Sequence, residues 1–170
     1  MDQPRNPRRR KFLRAATSAA AGGTLMSCGA AKSPWRTLSA LEAATAAAIC
    51  DRIIPPEEFP GAAAAGAVEY LDRQLAGHFK KLRTAYTRGL AGVDRDAQAL
   101  FGAPFAKLTA GQQDQVLQAL EKQDSSRAFF AMIVSHTMQS YYGDPRHGGN
   151  RDGAGWRSIG YDSTIVRGRQ

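Results

Sequence analysis

The sequence predicts an all-α protein, a single-domain orthogonal bundle of about five helices followed by a C-terminal strap rich in glycine, arginine and aspartate. Three observations predict this class. Apolar residues recur every three or four positions, two capping boxes mark helix starts, and no segment alternates apolar and polar residues for long enough to form a sheet. After an N-terminal leader, about 140 of the 170 residues remain, which is enough for one domain with one core.

The first helix begins at the capping box Ser39-Ala40-Leu41-Glu42, in which the serine hydroxyl accepts the Glu42 N–H and the glutamate reaches back to the Ser39 N–H. Pro55 and Pro56 end the helix, because neither can donate a backbone hydrogen bond. Cys50 lies on the apolar face, which predicts a buried small apolar residue, and a disulfide with Cys28 is the alternative. That face consists of Leu41, Ala44, Ala48, Ile49 and Ile53.

The next two helices have clear apolar faces. A second helix is predicted over about residues 63–77, with Val68, Leu71 and Leu75 on one side. In the third, Gly89 and Gly92 each cost about 1 kcal/mol relative to alanine, so a bend is expected in the middle of the helix. The apolar stripe of this third helix comprises Phe79, Leu82, Tyr86, Leu90, Val93, Ala97 and Leu100.

Two more helices complete the predicted domain, which spans residues 37–142. The fourth opens at the capping box Thr109-Ala110-Gly111-Gln112. Residues 123–126 end the fourth helix and cap a fifth, which ends at Gly143. The buried faces carry Val116, Leu117 and Leu120 in the fourth helix, and Phe129, Phe130, Met132, Ile133, Thr137 and Tyr141 in the fifth.

The strap, residues 143–162, has the composition of a turn-rich segment. Its glycines favour positive φ angles, Pro145 lacks a backbone donor, and Asn and Asp side chains bond their own backbone in turns, so we expect neither a helix nor a central strand. Trp156, Ile159 and Tyr161 are too large and apolar for a loose tail. We therefore expect the strap to fold back onto the domain or onto a partner.

Several chemical roles for the strap compete with a purely structural one. Calcium binding by Asp144, Asn150 and Asp152 lacks a closing glutamate, and two arginines lie among these ligands. A phosphate loop is disfavoured because the glycines follow a helix and not a strand. Catalysis by His147 with Asp144 or Asp152 has no nucleophile nearby. The preferred interpretation is that arginines pair with aspartates and backbone carbonyls to hold a compact loop.

Residues 1–27 resemble a twin-arginine export signal, carried by Arg9, Arg10, Phe12 and Leu13 ahead of an apolar run too short to cross a bilayer. A basic arm that binds nucleic acid is the alternative. The signal holds six Lys or Arg and one Asp, a charge of +5, so the remaining chain carries only 8 − 5 = +3. That small charge argues against a nucleic-acid partner.

Ser27-Cys28 resembles a bacterial lipoprotein cleavage box and predicts lipidation of Cys28, followed by a tether over residues 28–36. Cleavage near residue 30 is the alternative and would leave a chain without a lipid anchor. The tail, residues 163–170, predicts nothing further.

The chain contains no motif that predicts a catalytic residue, a cofactor site or a metal site of its own. It lacks the covalent-haem motif, a dinucleotide fingerprint and the zinc-protease motif. His78 lies beside the apolar stripe of its helix, and His136 lies among apolar neighbours, which is typical of a hydrogen-bonded packing residue.

The sequence resembles the gluconate 2-dehydrogenase subunit 3 family across nearly all of residues 37–162. The resemblance implies a cofactor-free small subunit of a periplasmic, membrane-associated sugar or polyol dehydrogenase. The segments that carry the resemblance are Ala48-Ile49-Cys50-Asp51-Arg52-Ile53-Ile54-Pro55-Pro56, Pro60-Gly61-Ala62, Tyr70-Leu71-Asp72-Arg73-Gln74-Leu75, the stretch from Phe130 onward to Gly143-Asp144-Pro145-Arg146-His147-Gly148-Gly149-Asn150-Arg151-Asp152-Gly153-Ala154-Gly155-Trp156, and Ile159-Gly160-Tyr161.

The resemblance also implies partners. The large subunit would be a GMC-type flavoprotein that binds FAD, and a multihaem cytochrome c would receive the electrons. Aromatic and arginine side chains are the usual hot spots of interfaces, so we expect the strap to form the docking surface. A stand-alone periplasmic lipoprotein that binds a small ligand in its own helical pocket is the alternative. The predicted contact residues are Tyr141, Tyr142, Arg146, His147, Arg151, Trp156 and Arg157.

Overall fold

The computed structural model describes residues 34–162, so the predicted export signal at Arg9, Arg10, Phe12 and Leu13, the lipidation site Cys28 and the tail lie outside the described residues. Within residues 34–162 the chain forms six α-helices and no strand, which confirms the all-α class. The helices are α1 Ala40–Ile53, α2 Ala67–Ala76, α3 Arg83–Phe101, α4 Ala110–Lys122, α5 Asp124–Tyr142 and α6 Ala154–Ser158. Short 3₁₀ turns occupy Lys80–Leu82, Phe105–Lys107, Pro145–His147 and Arg151–Gly153.

Both predicted capping boxes are present. The Ser39 hydroxyl accepts the Glu42 N–H at 3.2 Å, and the Glu42 carboxylate accepts the Ser39 N–H at 2.8 Å. Thr109 and Gln112 form the same reciprocal pair at the start of α4. The cap side chains bond the backbone beside them, so a stretch of about four residues fixes each helix start.

The second helix begins at Ala67, later than the predicted start near residue 63. Gly66 adopts a left-handed conformation, with φ of 92°, and this interrupts any helical path that precedes it. The Asp51 carboxylate also accepts the Ala63 N–H at 2.9 Å. Residues 62–66 form a turn instead, and the strap packs against this turn.

The third helix runs through Gly89 and Gly92 without a break, and the bend that the sequence predicted there stays a prediction. Gly89 has a different role, because a β-carbon added there would lie 2.2 Å from the Phe129 ring of α5. The glycine allows the two helices to approach each other closely. Packing between helices therefore decides the conformation at this position, and the low helix propensity of glycine does not.

The core is centred on α1, which packs against α2, α3, α4 and α5. Cys50 is wholly buried, as predicted, and its Sγ lies 3.3 Å from Thr137 Oγ1. Leu41 and Leu100 fit the predicted apolar stripes, but they are 57% and 58% exposed because each lies in an end turn of its helix. No helix within residues 34–162 combines the length and the apolar composition that crossing a membrane requires.

Candidate docking surface

The strap is held at its centre by Asn150. This side chain is wholly buried, its Nδ2 donates to the Gly143 carbonyl at 2.8 Å, and its Oδ1 accepts the Gly155 N–H at 2.8 Å. The backbone of Asn150 is left-handed, with φ of 47°, a conformation that asparagine tolerates better than most residues. A single amide thus joins the two ends of the loop that leads from α5 to α6.

Two glycines allow the strap to lie directly on the backbone of α5. A β-carbon at Gly149 would stand 2.2 Å from the Ser140 carbonyl oxygen, and one at Gly155 would stand 1.9 Å from the Tyr141 carbonyl oxygen. Backbone atoms cannot move aside as the end of a side chain can, so both positions require glycine. The strap backbone therefore lies directly against α5 of the domain, one of the two placements that were expected for it.

The strap contains the short helix α6, although its composition led us to exclude a helix. Gly153 turns the chain into α6 with φ of 68°, and Ala154 and Gly155 are the buried residues of the first turn. Both residues are small enough to pack against α5. Contact with α5 outweighs the weak helix propensity of a glycine-rich segment.

Arginines fix the outer edge of the strap. Arg151 donates from its backbone N–H to the Ala65 carbonyl at 2.8 Å, and its guanidinium contacts the Ala64 carbonyl and the Glu69 carboxylate. Arg73 donates to the Arg146 carbonyl at 3.0 Å. Arg151 was predicted to contact a partner, but its guanidinium bonds the strap to the turn before α2.

The other arginines of the strap follow the preferred structural interpretation. The Arg146 guanidinium bonds the Asp144 carboxylate at 2.9 Å, and Arg157 donates to the Asp152 carbonyl. Both arginines remain exposed, so their predicted role in partner contact stays a prediction.

Tyr141 was predicted to be an interface anchor, and the structure contradicts this. Its side chain is buried, and its hydroxyl donates to the Pro60 carbonyl at 2.8 Å. Burial, together with the neighbouring Tyr142, raises the pKa of the Tyr141 phenol. Tyr141 supports the strap from below and cannot present its ring to a partner.

One exposed patch, formed by the C-terminal part of the strap and the end of α5, is apolar. Trp156 is half-buried and donates its indole N–H to the Tyr142 carbonyl at 2.8 Å, and its ring lies 5.1 Å from that of Tyr161. Ile159 is 60% exposed and Tyr161 is 41% exposed. Met138, which is 43% exposed, lies one helical turn before Tyr142 on the same face of α5. We call these five residues the outer apolar surface.

His147 does not belong to this surface. It lines an open cleft together with residues of α2 and α5, and neither Asp144 nor Asp152 lines that cleft. The calcium interpretation also fails, because both polar atoms of the Asn150 amide are already bonded within the strap. Among residues 34–162 no three His, Cys, Asp or Glu side chains are placed to hold a metal ion.

Comparison with known families decides the relationship. The family model of gluconate 2-dehydrogenase subunit 3 matches residues 40–162, a range that takes in all six helices and the whole strap. The chain belongs to this family. The resemblance that the sequence predicted is thereby confirmed, whereas no curated protein and no solved structure matches the chain.

A gluconate 2-dehydrogenase subunit 3 is by its name one component of a multi-subunit enzyme, so partner subunits are implied. The outer apolar surface lies inside the matched range and is the most exposed apolar feature of this family member's strap. Sequence reasoning omitted Met138, Ile159 and Tyr161 from the contact residues. The spacing of four between Met138 and Tyr142 was the available signal for Met138.

Proposed function

We propose that this chain is the non-catalytic small subunit of a periplasmic FAD-dependent sugar or alcohol dehydrogenase complex, and that it docks onto the large flavoprotein subunit through the outer apolar surface. The observation that carries the proposal is the exposure of Ile159 and Tyr161 beside Trp156 on a strap that is fixed by buried hydrogen bonds. Large apolar side chains that a fold holds rigidly in water are typical of an interface.

The fixed geometry favours binding. The indole hydrogen bond of Trp156 and the two hydrogen bonds of the Asn150 side-chain amide fix the positions of the apolar groups in the absence of a partner. Association then loses less side-chain and loop entropy than it would with a flexible tail. Arg157 is exposed on α6 and supplies the charged contact that often borders such a surface.

Two described side chains with reactive potential, Cys50 and His136, are engaged in structure. Burial raises the pKa of the Cys50 thiol to about 12, which keeps it protonated and unreactive near neutral pH. His136 is hydrogen-bonded to Tyr86 at 2.7 Å, as expected of a packing residue. These observations favour a supporting role and leave the chemistry to FAD in the partner.

Export completes the proposal. A flavoprotein that folds around FAD in the cytoplasm crosses the membrane as a folded cargo, and the twin-arginine signal at Arg9 and Arg10 of this chain would carry the complex. Lipidation of Cys28 would hold the complex at the membrane, and a cytochrome c subunit would accept the electrons. Mass spectrometry of the mature N-terminus tests the lipidation step, and an unmodified terminus beyond residue 28 contradicts it.

The test uses the full chain, affinity-tagged at the C-terminus and produced in its native host. We expect it to purify with a flavoprotein that contains stoichiometric FAD and oxidises a sugar or polyol with an artificial electron acceptor. Ile159→Asp should lower the affinity by roughly tenfold to a hundredfold, because it removes about 1.5–3 kcal/mol of apolar burial. Leu41→Asp is the matched control, since Leu41 is equally exposed and an acidic residue suits the first turn of α1.

Two results would overturn the proposal. One is a chain that purifies without any flavin-containing partner. The other is turnover of a sugar or polyol by the purified chain alone. If the flavoprotein is retained by Ile159→Asp and lost with Leu41→Asp, docking occurs through α1 and the assignment of the surface is wrong.

A further inference from the structure

All three histidines of the chain line one open cleft of about 650 Å³, although they lie far apart in the sequence. His78 follows α2, His136 lies in α5 and His147 lies in the strap. No motif in the sequence brings these residues together. The fold does so by packing α2, α5 and the strap around the cleft.

His136 has a defined tautomer. Its ring stacks on Phe79 with centroids 4.2 Å apart, and its Nδ1 lies 2.7 Å from the Tyr86 hydroxyl. Burial raises the pKa of Tyr86, so the phenol keeps its proton, and the His136 ring is its only hydrogen-bond partner within residues 34–162. The phenol must therefore donate to Nδ1, because the reverse arrangement would leave a buried O–H without an acceptor.

The proton of the His136 ring consequently resides on Nε2. Nε2 has no hydrogen-bond partner within residues 34–162. Every buried side-chain nitrogen or oxygen in this range does have a partner, so Nε2 is not buried. Nε2 is thus open to solvent on the cleft side of the ring. The cleft contains one N–H donor whose orientation is fixed by a buried hydrogen bond.

The other polar groups of the cleft are also available for binding. No side-chain hydrogen bond within residues 34–162 engages His78, His147 or Gln74. The cleft lining includes no carboxylate. Arg73 does not line the cleft, but it bonds the Arg146 carbonyl at 3.0 Å and packs against Gly148, the two residues that flank His147, so one guanidinium lies close to the edge of the cleft.

We propose that this cleft binds a small organic carboxylate, whose oxygens accept hydrogen bonds from His136 Nε2 and from the imidazoles of His78 and His147. Several donors, a nearby guanidinium and a lining without acidic side chains are the features that recognise a carboxylate. Gln74 supplies a further amide for a hydroxyl or a second carboxylate of the ligand. This site does not depend on the outer apolar surface, to which none of its residues belongs.

The test compares succinate with its neutral analogue succinamide, at constant ionic strength, on the full chain with ¹⁵N-labelled histidine. We expect succinate alone to shift the three imidazole signals, with the same saturation curve by calorimetry. His78→Gln and His147→Gln should each weaken binding by about tenfold, the usual effect of losing one charge-assisted hydrogen bond. Arg95→Gln, an exposed position of α3 outside the cleft, should leave the affinity unchanged.

Three outcomes would overturn this site. If succinamide binds as tightly as succinate, or if succinate does not bind, the cleft does not recognise a carboxylate. Unchanged affinity in both histidine variants removes the cleft as the location. Finally, the isolated chain could bind succinate while the purified complex does not. That result would show that a side chain of the partner fills the cleft, which contradicts a site for a free ligand. The docking experiment with Ile159→Asp is unaffected by each of these results.

Discussion

Substitution of Asn150 tests how the strap is held. In Asn150→Ala the Gly143 carbonyl and the Gly155 N–H lose their partners, at about 1 kcal/mol for each hydrogen bond and more if water cannot replace them. Alanine also disfavours the left-handed backbone at φ of 47° by about 1–2 kcal/mol. We expect Asn150→Ala to weaken the attachment of the strap to the domain by about 3–5 kcal/mol in total.

Two further variants separate these contributions. Asn150→Gly loses the same two hydrogen bonds but adopts the left-handed backbone readily, so it should be about 1 kcal/mol less destabilising than Asn150→Ala. Asn150→Asp keeps an acceptor for the Gly155 N–H but places an anionic oxygen against the Gly143 carbonyl, where the amide donated at 2.8 Å. This variant should be destabilised at neutral pH and should recover part of the loss in acid, where protonation restores a donor.

The assay is urea denaturation of the full chain followed by circular dichroism, with limited proteolysis to detect local release of the strap. Helices α1 to α5 should stay folded in all three variants, and cleavage within residues 143–162 should increase in the order wild type, Gly, Ala. Equal cleavage of wild type and Asn150→Ala, with unfolding free energies within about 0.5 kcal/mol, would refute the role of this amide.

Three other predictions follow from buried contacts. Gly89→Ala should destabilise the fold by about 1–3 kcal/mol because its β-carbon would collide with Phe129. Gly92→Ala should stabilise it by up to about 1 kcal/mol, because the added β-carbon would meet only the Arg95 side chain, at an ordinary contact distance of 3.6 Å. Urea denaturation that reverses this order would contradict the packing of α3 on α5. Cys50, with its pKa raised to about 12 by burial, should react with iodoacetamide only on unfolding. Peptide mapping separates Cys50 from Cys28, and rapid labelling of Cys50 in the native chain would show that this thiol is accessible. Burial acts to raise the pKa of Asp72, but hydrogen bonds from three backbone N–H groups lower it below its ordinary 3.8. The stabilisation from this carboxylate is therefore present above pH 3.8 and is lost as the pH falls through the folded-state pKa. Asp72→Asn should flatten this acid dependence of the urea midpoint, and an unchanged dependence would contradict the role of Asp72.

The helix boundaries that the sequence predicted correctly depend on local chemistry. Ser39 and Glu42 lie within one turn of each other and bond the backbone between them, so no distant contact is needed to predict the start of α1. Periodicity identified the buried face of α3, which is buried at Tyr86, Leu90 and Val93. In α1 it was less successful, because Ile49 is the one buried residue of the predicted face and Ala44 is exposed. Periodicity does not specify where a packed face ends, and for that reason Leu100 was wrongly expected to be buried.

The docking surface was harder to predict because each of its supports joins residues that are distant in sequence. The hydroxyl of Tyr141 reaches Pro60 and its ring is buried, contrary to the prediction. Arg151 stays exposed, but its guanidinium is bonded to Ala64 and Glu69 of the same chain. The gathering of the three histidines has the same origin. A pattern within the strap specifies turns, but only the packing of the strap on α2 and α5 decides which side chains face outward.

The end of α5 explains why a segment rich in glycine can be rigid. A helix leaves its last carbonyls without intrahelical partners, and here the strap supplies two: the Trp156 indole donates to the Tyr142 carbonyl and the Asn150 amide donates to the Gly143 carbonyl just beyond it. These bonds form only if the strap backbone lies against α5, which requires glycine at 149 and 155. The same glycines that would loosen an isolated peptide therefore allow the contacts that fix Trp156. The position of the outer apolar surface thus depends on the hydrogen bonds that the Tyr142 and Gly143 carbonyls accept at the end of α5. A change that breaks these bonds should displace the surface.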